Sequence, residues 1–277
     1  MRALRMAVVG LTTALLLLAG GISSVASAAP TWASPDSATI HPGVQTITGE
    51  GQCTANFVFT SGETVYIGQA AHCAGRGSSI NADGCESPSL PLGTPVRVEG
   101  ATRPGVLAYS SWLTMQQRGE DDPDTCQFND FALVRLDPAD VGRVNPSVPV
   151  LGGPVGLGSR SSAGQQVYAF GSSGLLPGLS ALGPMRGLSL GTSGDGWSHT
   201  VLTLRPGLPG DSGSAVLDSR GRALGVLTTL GLLPLPLTNG VTDLSKALAY
   251  LNANGPFDAA LAPGTVPFRG NRLLVGA

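Results

Sequence analysis

Charge is scarce in this chain. Only 12% of its 277 residues are Asp, Glu, Lys or Arg, with 16 basic against 18 acidic. No basic patch exists to hold nucleic acid through its phosphates. Aromatic residues are few, at 5%. Histidine is rarer still: His41, His72 and His199 are the whole complement, and their scatter has no zinc-ligand spacing. Neither a metal nor another cofactor is expected. After the first 28 residues no apolar run approaches the ~20 residues that a membrane helix needs. Long segments of 3.6-residue apolar period are missing over most of the chain, which excludes a helical bundle.

Glycine and proline are plentiful instead, at 40 and 21 residues. Short apolar runs between such turn residues predict an all-β protein rich in loops. The chain begins like an export signal: Arg2 and Arg5, an apolar stretch from Ala7 to Ala19, then the small residues Ala26-Ser27-Ala28. A retained N-terminal anchor is the alternative. Removing 28 residues from 277 leaves 249, enough for one domain or two small ones. The mature chain would hold 14 basic residues against 18 acidic ones, a formal charge of about −4. A secreted, soluble monomer with no membrane contact after cleavage is expected. Cys53, Cys73, Cys85 and Cys126 all follow the signal and fit an oxidising compartment. Four cysteines allow three pairings.

Taken in order, residues 29–52 read as an irregular lead-in containing Pro30, Pro35 and Pro42. Asn56 to Phe59 and Thr64 to Ile67 form a predicted hairpin around Ser61-Gly62-Glu63. Val96 to Val98 and Gly105 to Tyr109 are further strand candidates. The acidic stretch Glu120-Asp121-Asp122-Pro123-Asp124 reads as a solvated loop, with calcium binding the rarer alternative. Residues 141–160, dense in proline and glycine, read as a linker between halves at 53–140 and 161–255. Residues 171–196 show no repeat. Strands are expected at Gln165 to Phe170, Val201 to Leu204 and Ala223 to Thr229. Leu244, Leu248 and Leu251 then fall at helical spacing, with Thr242 or Asp243 as cap and Gly255-Pro256 as stop. Residues 256–277 read as a loose tail.

Three segments carry chemistry. Gly210-Asp211-Ser212-Gly213-Ser214 offers a hydroxyl on a glycine-framed turn, where backbone N–H groups can converge. Ala70-Ala71-His72-Cys73 offers an imidazole, the side chain that accepts and returns a proton near neutral pH. Asn129-Asp130-Phe131-Ala132 offers a carboxylate at the start of a strand. In the order His, Asp, Ser these motifs resemble the trypsin/chymotrypsin-like serine proteases, from Cys53 to about Gly255.

The resemblance implies two packed antiparallel β-barrels with a short C-terminal helix, and a protein or peptide substrate. It implies His72, Asp130 and Ser212 as catalytic triad, with the N–H groups of Gly210 and Ser212 as oxyanion hole. It also implies a Cys53–Cys73 disulfide, which leaves Cys85 for Cys126. His41 and His199 are assigned surface roles. In many relatives the carboxylate matching Asp211 pairs with a freshly cut N-terminus. No Ile-Val-Gly-Gly-like start precedes Cys53 here, so an internal arginine is the alternative partner. The substrate pocket falls on Pro206, Leu208, Thr228, Thr229 and Leu230. No acid lies between Asp195 and Asp211 or between Arg220 and Val241. Leu204 adds to an apolar lining, so cleavage after neutral or apolar residues is expected, with Arg205 as the residue that would favour an acidic one. Two other classes compete: a non-catalytic binding protein on the same scaffold, and an esterase of the α/β-hydrolase type. The esterase requires the reverse order of triad residues.

Overall fold

The structure is a computed structural model that describes residues 30–76, 83–172, 183–205, 207–231 and 238–270. The segment read as an export signal, residues 1–28, and the final residues 271–277 lie outside it. In the first half the strands are β1 (Gln45–Thr48), β2 (Gly51–Thr54), β3 (Val58–Ser61), β4 (Thr64–Gln69), β5 (Pro95–Val98), β6 (Gly105–Ser110) and β7 (Ala132–Arg135). Two helices, α1 (Ser111–Arg118) and α2 (Pro123–Phe128), stand between β6 and β7. The second half has β8 (Gln166–Phe170), β9 (Pro184–Ser193), β10 (Ser198–Thr203), β11 (Ala215–Asp218), β12 (Ala223–Gly231) and β13 (Thr238–Asp243). Helix α3 (Leu244–Asn254) and a short β14 (Ala260–Leu261) complete the chain.

Strands β8 to β13 close a six-stranded barrel in the order β10-β13-β12-β11-β8-β9. The first half is an antiparallel sheet of eight strands, ordered β14-β3-β4-β7-β6-β5-β1-β2. Together they form the expected all-β pair of barrels. Each half has its own buried cluster, and a third runs through both. Phe57, Tyr109 and Phe131 from the first half join Tyr168, Leu217 and Leu248 from the second in one buried cluster. Alternation explains the facing: in β10, Val201 and Thr203 are buried while Leu202 is exposed.

Local chemistry sets the turns and ends. Gly62 adopts φ of +57° in the β3–β4 turn, where a β-branched residue would be strained. Asp243 caps α3 by accepting the Lys246 N–H at 2.8 Å. Leu244, Leu248 and Leu251 are buried on the inner face of α3. Each contributes about 1.5–3 kcal/mol by leaving water.

The structure departs from the sequence expectation at three places and adds a strand at a fourth. The lead-in is not irregular throughout. Its residues 45–48 form β1, paired with β2 and β5, because Thr46 and Thr48 are β-branched and face inward. The acidic stretch starts a helix: Asp122 accepts the Thr125 N–H at 2.7 Å, and Pro123 occupies the first turn where no donor is needed. Residues 184–193, within the glycine-rich segment, form the long strand β9. Gly187 belongs there because a side chain would collide with Leu202 O on β10. The tail is packed as far as residue 270. Phe257 stacks on Tyr66 with ring centroids 4.8 Å apart, Phe268 meets Tyr168 edge-on at 5.4 Å, and β14 pairs with β3. Large apolar side chains in that tail cover both halves, which sequence spacing does not reveal.

Residues 144–158 cross between the halves as packed chain. Val144, Val148 and Leu151 are buried, and Asn145 Nδ2 donates to Ala33 O at 2.7 Å.

Candidate active site

Strand β4 carries the chain to a single 3-10 turn, Ala71–Ala74, whose second residue is His72. The Cys53–Cys73 disulfide ties that turn to β2, with the Cα atoms 6.0 Å apart. Cys85 and Cys126 are also bridged, which anchors α2 to the loop beginning at Asp83. Asp130 lies between the end of α2 and the start of β7. Its two oxygens meet His72 twice. Oδ2 lies 2.6 Å from the ring Nδ1, and Oδ1 accepts the His72 backbone N–H at 2.9 Å. A carboxylate held at both oxygens sets the ring's orientation and favours the tautomer with its proton on Nδ1.

Burial opposes a charge on His72, but the Asp130 carboxylate and its hydrogen bond outweigh it and raise the imidazole above its ordinary value. The His72 side chain keeps 27% of its surface exposed and Asp130 7%. The site is thus open at the imidazole and closed behind it. Trp112 of α1, itself buried, stands behind the ring with centroids 6.5 Å apart.

The turn before β11 presents Ser212. Gly210 and Gly213 on either side adopt φ of +94° and +90°. Strand β2 of the first half grips this turn: Thr54 N–H donates to Ser212 O at 2.8 Å and Thr54 Oγ1 donates to Gly210 O at 2.7 Å. A side chain on Gly213 would collide with Thr54 O and crowd Ala70 N, two residues before His72. The structure therefore joins His72 to Asp130 directly and seats the Ser212 turn against the strand end that leads to His72. Among the described residues no hydrogen bond links the Ser212 hydroxyl to the ring. The N–H groups of Asp211, Gly213 and Ser214 donate to Leu208 O, Leu227 O and Asp211 O. Those of Gly210 and Ser212 have no acceptor among the described residues.

Asp211 is fully buried, and its partner is internal. Oδ2 accepts from Arg205 Nη1 at 2.8 Å and from Leu208 N–H at 2.9 Å. Arg205 is therefore engaged beside the turn. Of the residues assigned to the pocket, Pro206 and the side chain of Leu230 lie outside the described residues. Leu208 and Thr228 are partly buried, Thr229 is exposed, and Thr228 Oγ1 donates to Gly240 O at 3.3 Å. Leu204, read as lining, is 87% exposed instead, because the alternation of β10 carries it to the outside.

A residue the sequence reading missed is Asn239 on β13. It is buried, accepts the Gly207 N–H at 2.9 Å through Oδ1, and donates to Thr203 Oγ1 at 2.8 Å through Nδ2. A lone amide in a polar run carries no local signal for this role. His199 also needs correction. It is fully buried rather than on the surface, with Nε2 bonded to Asp243 at 2.8 Å and Nδ1 to Ser161 at 3.0 Å. Its strand β10 turns it inward, whereas the neighbouring Gly and Ser residues suggested a loop. His41 is partly buried, its Nδ1 2.9 Å from Pro42 O.

No curated protein matches the chain. Among solved structures, Thermobifida fusca protease A is similar over 82% of this chain and all of its own, with 19% identity and a TM-score of 0.53. A glutamic acid-specific serine protease, described as using a histidine triad in substrate binding, is similar over 80% of this chain and all of its own. Its identity is 18% and its TM-score 0.50. These likenesses show the fold, a chymotrypsin-like double barrel. A family profile for the trypsin-like peptidase domain matches residues 53–226, from the first disulfide cysteine through the Ser212 turn into β12. On the strength of that match, the chain belongs to the trypsin-like peptidase family.

Proposed function

We propose that this protein is a secreted serine endopeptidase that cleaves protein or peptide substrates through an acyl-enzyme on Ser212. The observation that carries this reading is the 2.6 Å contact between His72 Nδ1 and Asp130 Oδ2. With the ring proton held on Nδ1, the Nε2 lone pair is free to take the Ser212 hydroxyl proton. Ser212 Oγ then attacks the scissile carbonyl. The oxyanion formed receives the N–H groups of Gly210 and Ser212, which have no other acceptor among the described residues. His72 passes its proton to the leaving amine, and water hydrolyses the ester with His72 again as base.

The Arg205–Asp211 pair takes the place of a newly cut N-terminus, so activation does not require proteolysis that frees one. The same pair bears on specificity. A glutamate-specific relative uses a histidine triad, but here His199 is buried, His72 serves Asp130, and His41 lies in the lead-in. Arg205 already neutralises Asp211. Asn239 gives the pocket region a neutral amide, and no acid is near enough in sequence to hold Lys or Arg. An unpaired cationic side chain would lose several kcal/mol on desolvation. Cleavage after neutral or apolar residues follows.

Labelling with a fluorophosphonate and mapping the adduct by mass spectrometry tests the mechanism. Modification of Ser212, lost in His72→Ala, is the expected result; an adduct on Ser172 or Ser193 would refute it. Profiling with a peptide library tests the pocket, and dominant cleavage after Lys or Arg would overturn that part.

A further inference from the structure

The hydroxyl of Ser111, the first residue of α1, bridges the two peptide groups that flank Asp130. Its Oγ donates to Asn129 O at 2.6 Å and accepts the Phe131 N–H at 3.1 Å. The Ser111 backbone N–H adds a third bond, to Phe131 O at 2.9 Å. The Asn129 carbonyl belongs to the peptide that defines φ of Asp130, and the Phe131 N–H to the peptide that defines ψ. One atom that both donates and accepts therefore sets both dihedrals of the residue that orients His72. Ser111 and Asn129 are both fully buried, so water does not compete for these bonds. The remaining peptide donor is also fixed: Asp130 N–H donates to Phe128 O at 3.0 Å, which Thr242 Oγ1 on β13 also bonds at 2.6 Å.

We infer that Ser111 is a positioning residue for the Asp130–His72 couple, acting through the backbone on either side of Asp130. The inference rests on the catalytic reading above. Among the described residues, the charged group that raises His72 is Asp130. Loosening Asp130 should lower the His72 titration and slow turnover while leaving substrate contacts intact.

The test compares Ser111→Ala with Ser111→Thr, which keeps a hydroxyl able to donate and accept. The full chain is titrated by NMR of its three histidines, and kcat and KM are measured separately. In Ser111→Ala the His72 titration should move down and kcat fall on the order of 10- to 100-fold with KM little changed. Ser111→Thr should restore both. A Ser111→Ala protein with an unmoved His72 titration and lower thermal stability alone would overturn the inference. Should Ser111→Ala fail to fold, Ser111→Cys serves as the weak-donor variant, and an unmoved titration there has the same consequence. The NMR readout does not depend on activity. If the His72 titration moves in Ser111→Ala but Ser212 of the wild type takes no fluorophosphonate, the protease reading fails and the positioning role stands.

Discussion

Arg205 and Asp211, six residues apart, meet in an ion pair of 2.8 Å directly before Ser212. Asp211 is fully buried, whereas the Arg205 side chain keeps 22% of its surface exposed. The same carboxylate oxygen holds the Leu208 N–H. This one pair thus ties down both the loop before Ser212 and the turn that carries it.

Arg205→Met should therefore damage activity and stability together. Removing one partner of a fully buried pair costs about 3–5 kcal/mol, and the partial exposure of Arg205 brings this to about 2–3. Urea denaturation and turnover of the purified variant measure the two effects. A variant with wild-type turnover would mean that the Ser212 turn holds its shape without the pair.

Asp130→Asn tests the tautomer argument. The neutral amide can take the same place but also presents a donor to Nδ1, which favours the ring proton on Nε2, the wrong nitrogen for a base. Turnover should fall by about 10⁴ in a folded protein. A loss below tenfold at neutral pH would show that another group orients His72.

The pH dependence follows from His72. Its folded value is raised above that of the unfolded chain, burial being outweighed by Asp130. The charged pair stabilises the fold fully below the unfolded value, and that contribution is lost as pH rises through the raised folded value. Activity by the proposed mechanism needs the neutral ring and runs the other way. The acidic limb of the kcat/KM profile should lie above the ordinary imidazole value of 6.5. A limb below that value would contradict the role of Asp130.

The Cys53–Cys73 bridge closes a loop with a sequence separation of 20 and holds the turn of His72. Replacing both cysteines by serine should cost about 3 kcal/mol by the loop-closure argument. Equilibrium denaturation of the double variant measures it. An unchanged midpoint would mean that packing alone holds the turn.

Much of this protein was legible without a fold. The hairpin at Ser61-Gly62-Glu63, the strand into His72, helix α3 and the motifs around Asp130 and Ser212 are local patterns. Turn glycines, β-branched runs, a capping Asp and apolar residues at helical spacing each declare themselves within a few residues. Glycine-rich β9 and short helices α1 and α2 did not, because their residues have weak or mixed preferences and take their structure from their neighbours.

The pairings are another matter. That Asp211 would choose Arg205, that His199 would be buried against Asp243, and that Asn239 would hold Gly207 depended on which strands close the second barrel. The Ser111 bond to the peptides around Asp130 likewise depended on β6 lying beside β7. Sequence alone determined the punctuation of the strands and which reactive side chains stand at three turns. Only the tertiary structure decided which polar groups meet, because a buried donor or acceptor must find its partner among whatever groups strand packing brings within hydrogen-bond reach.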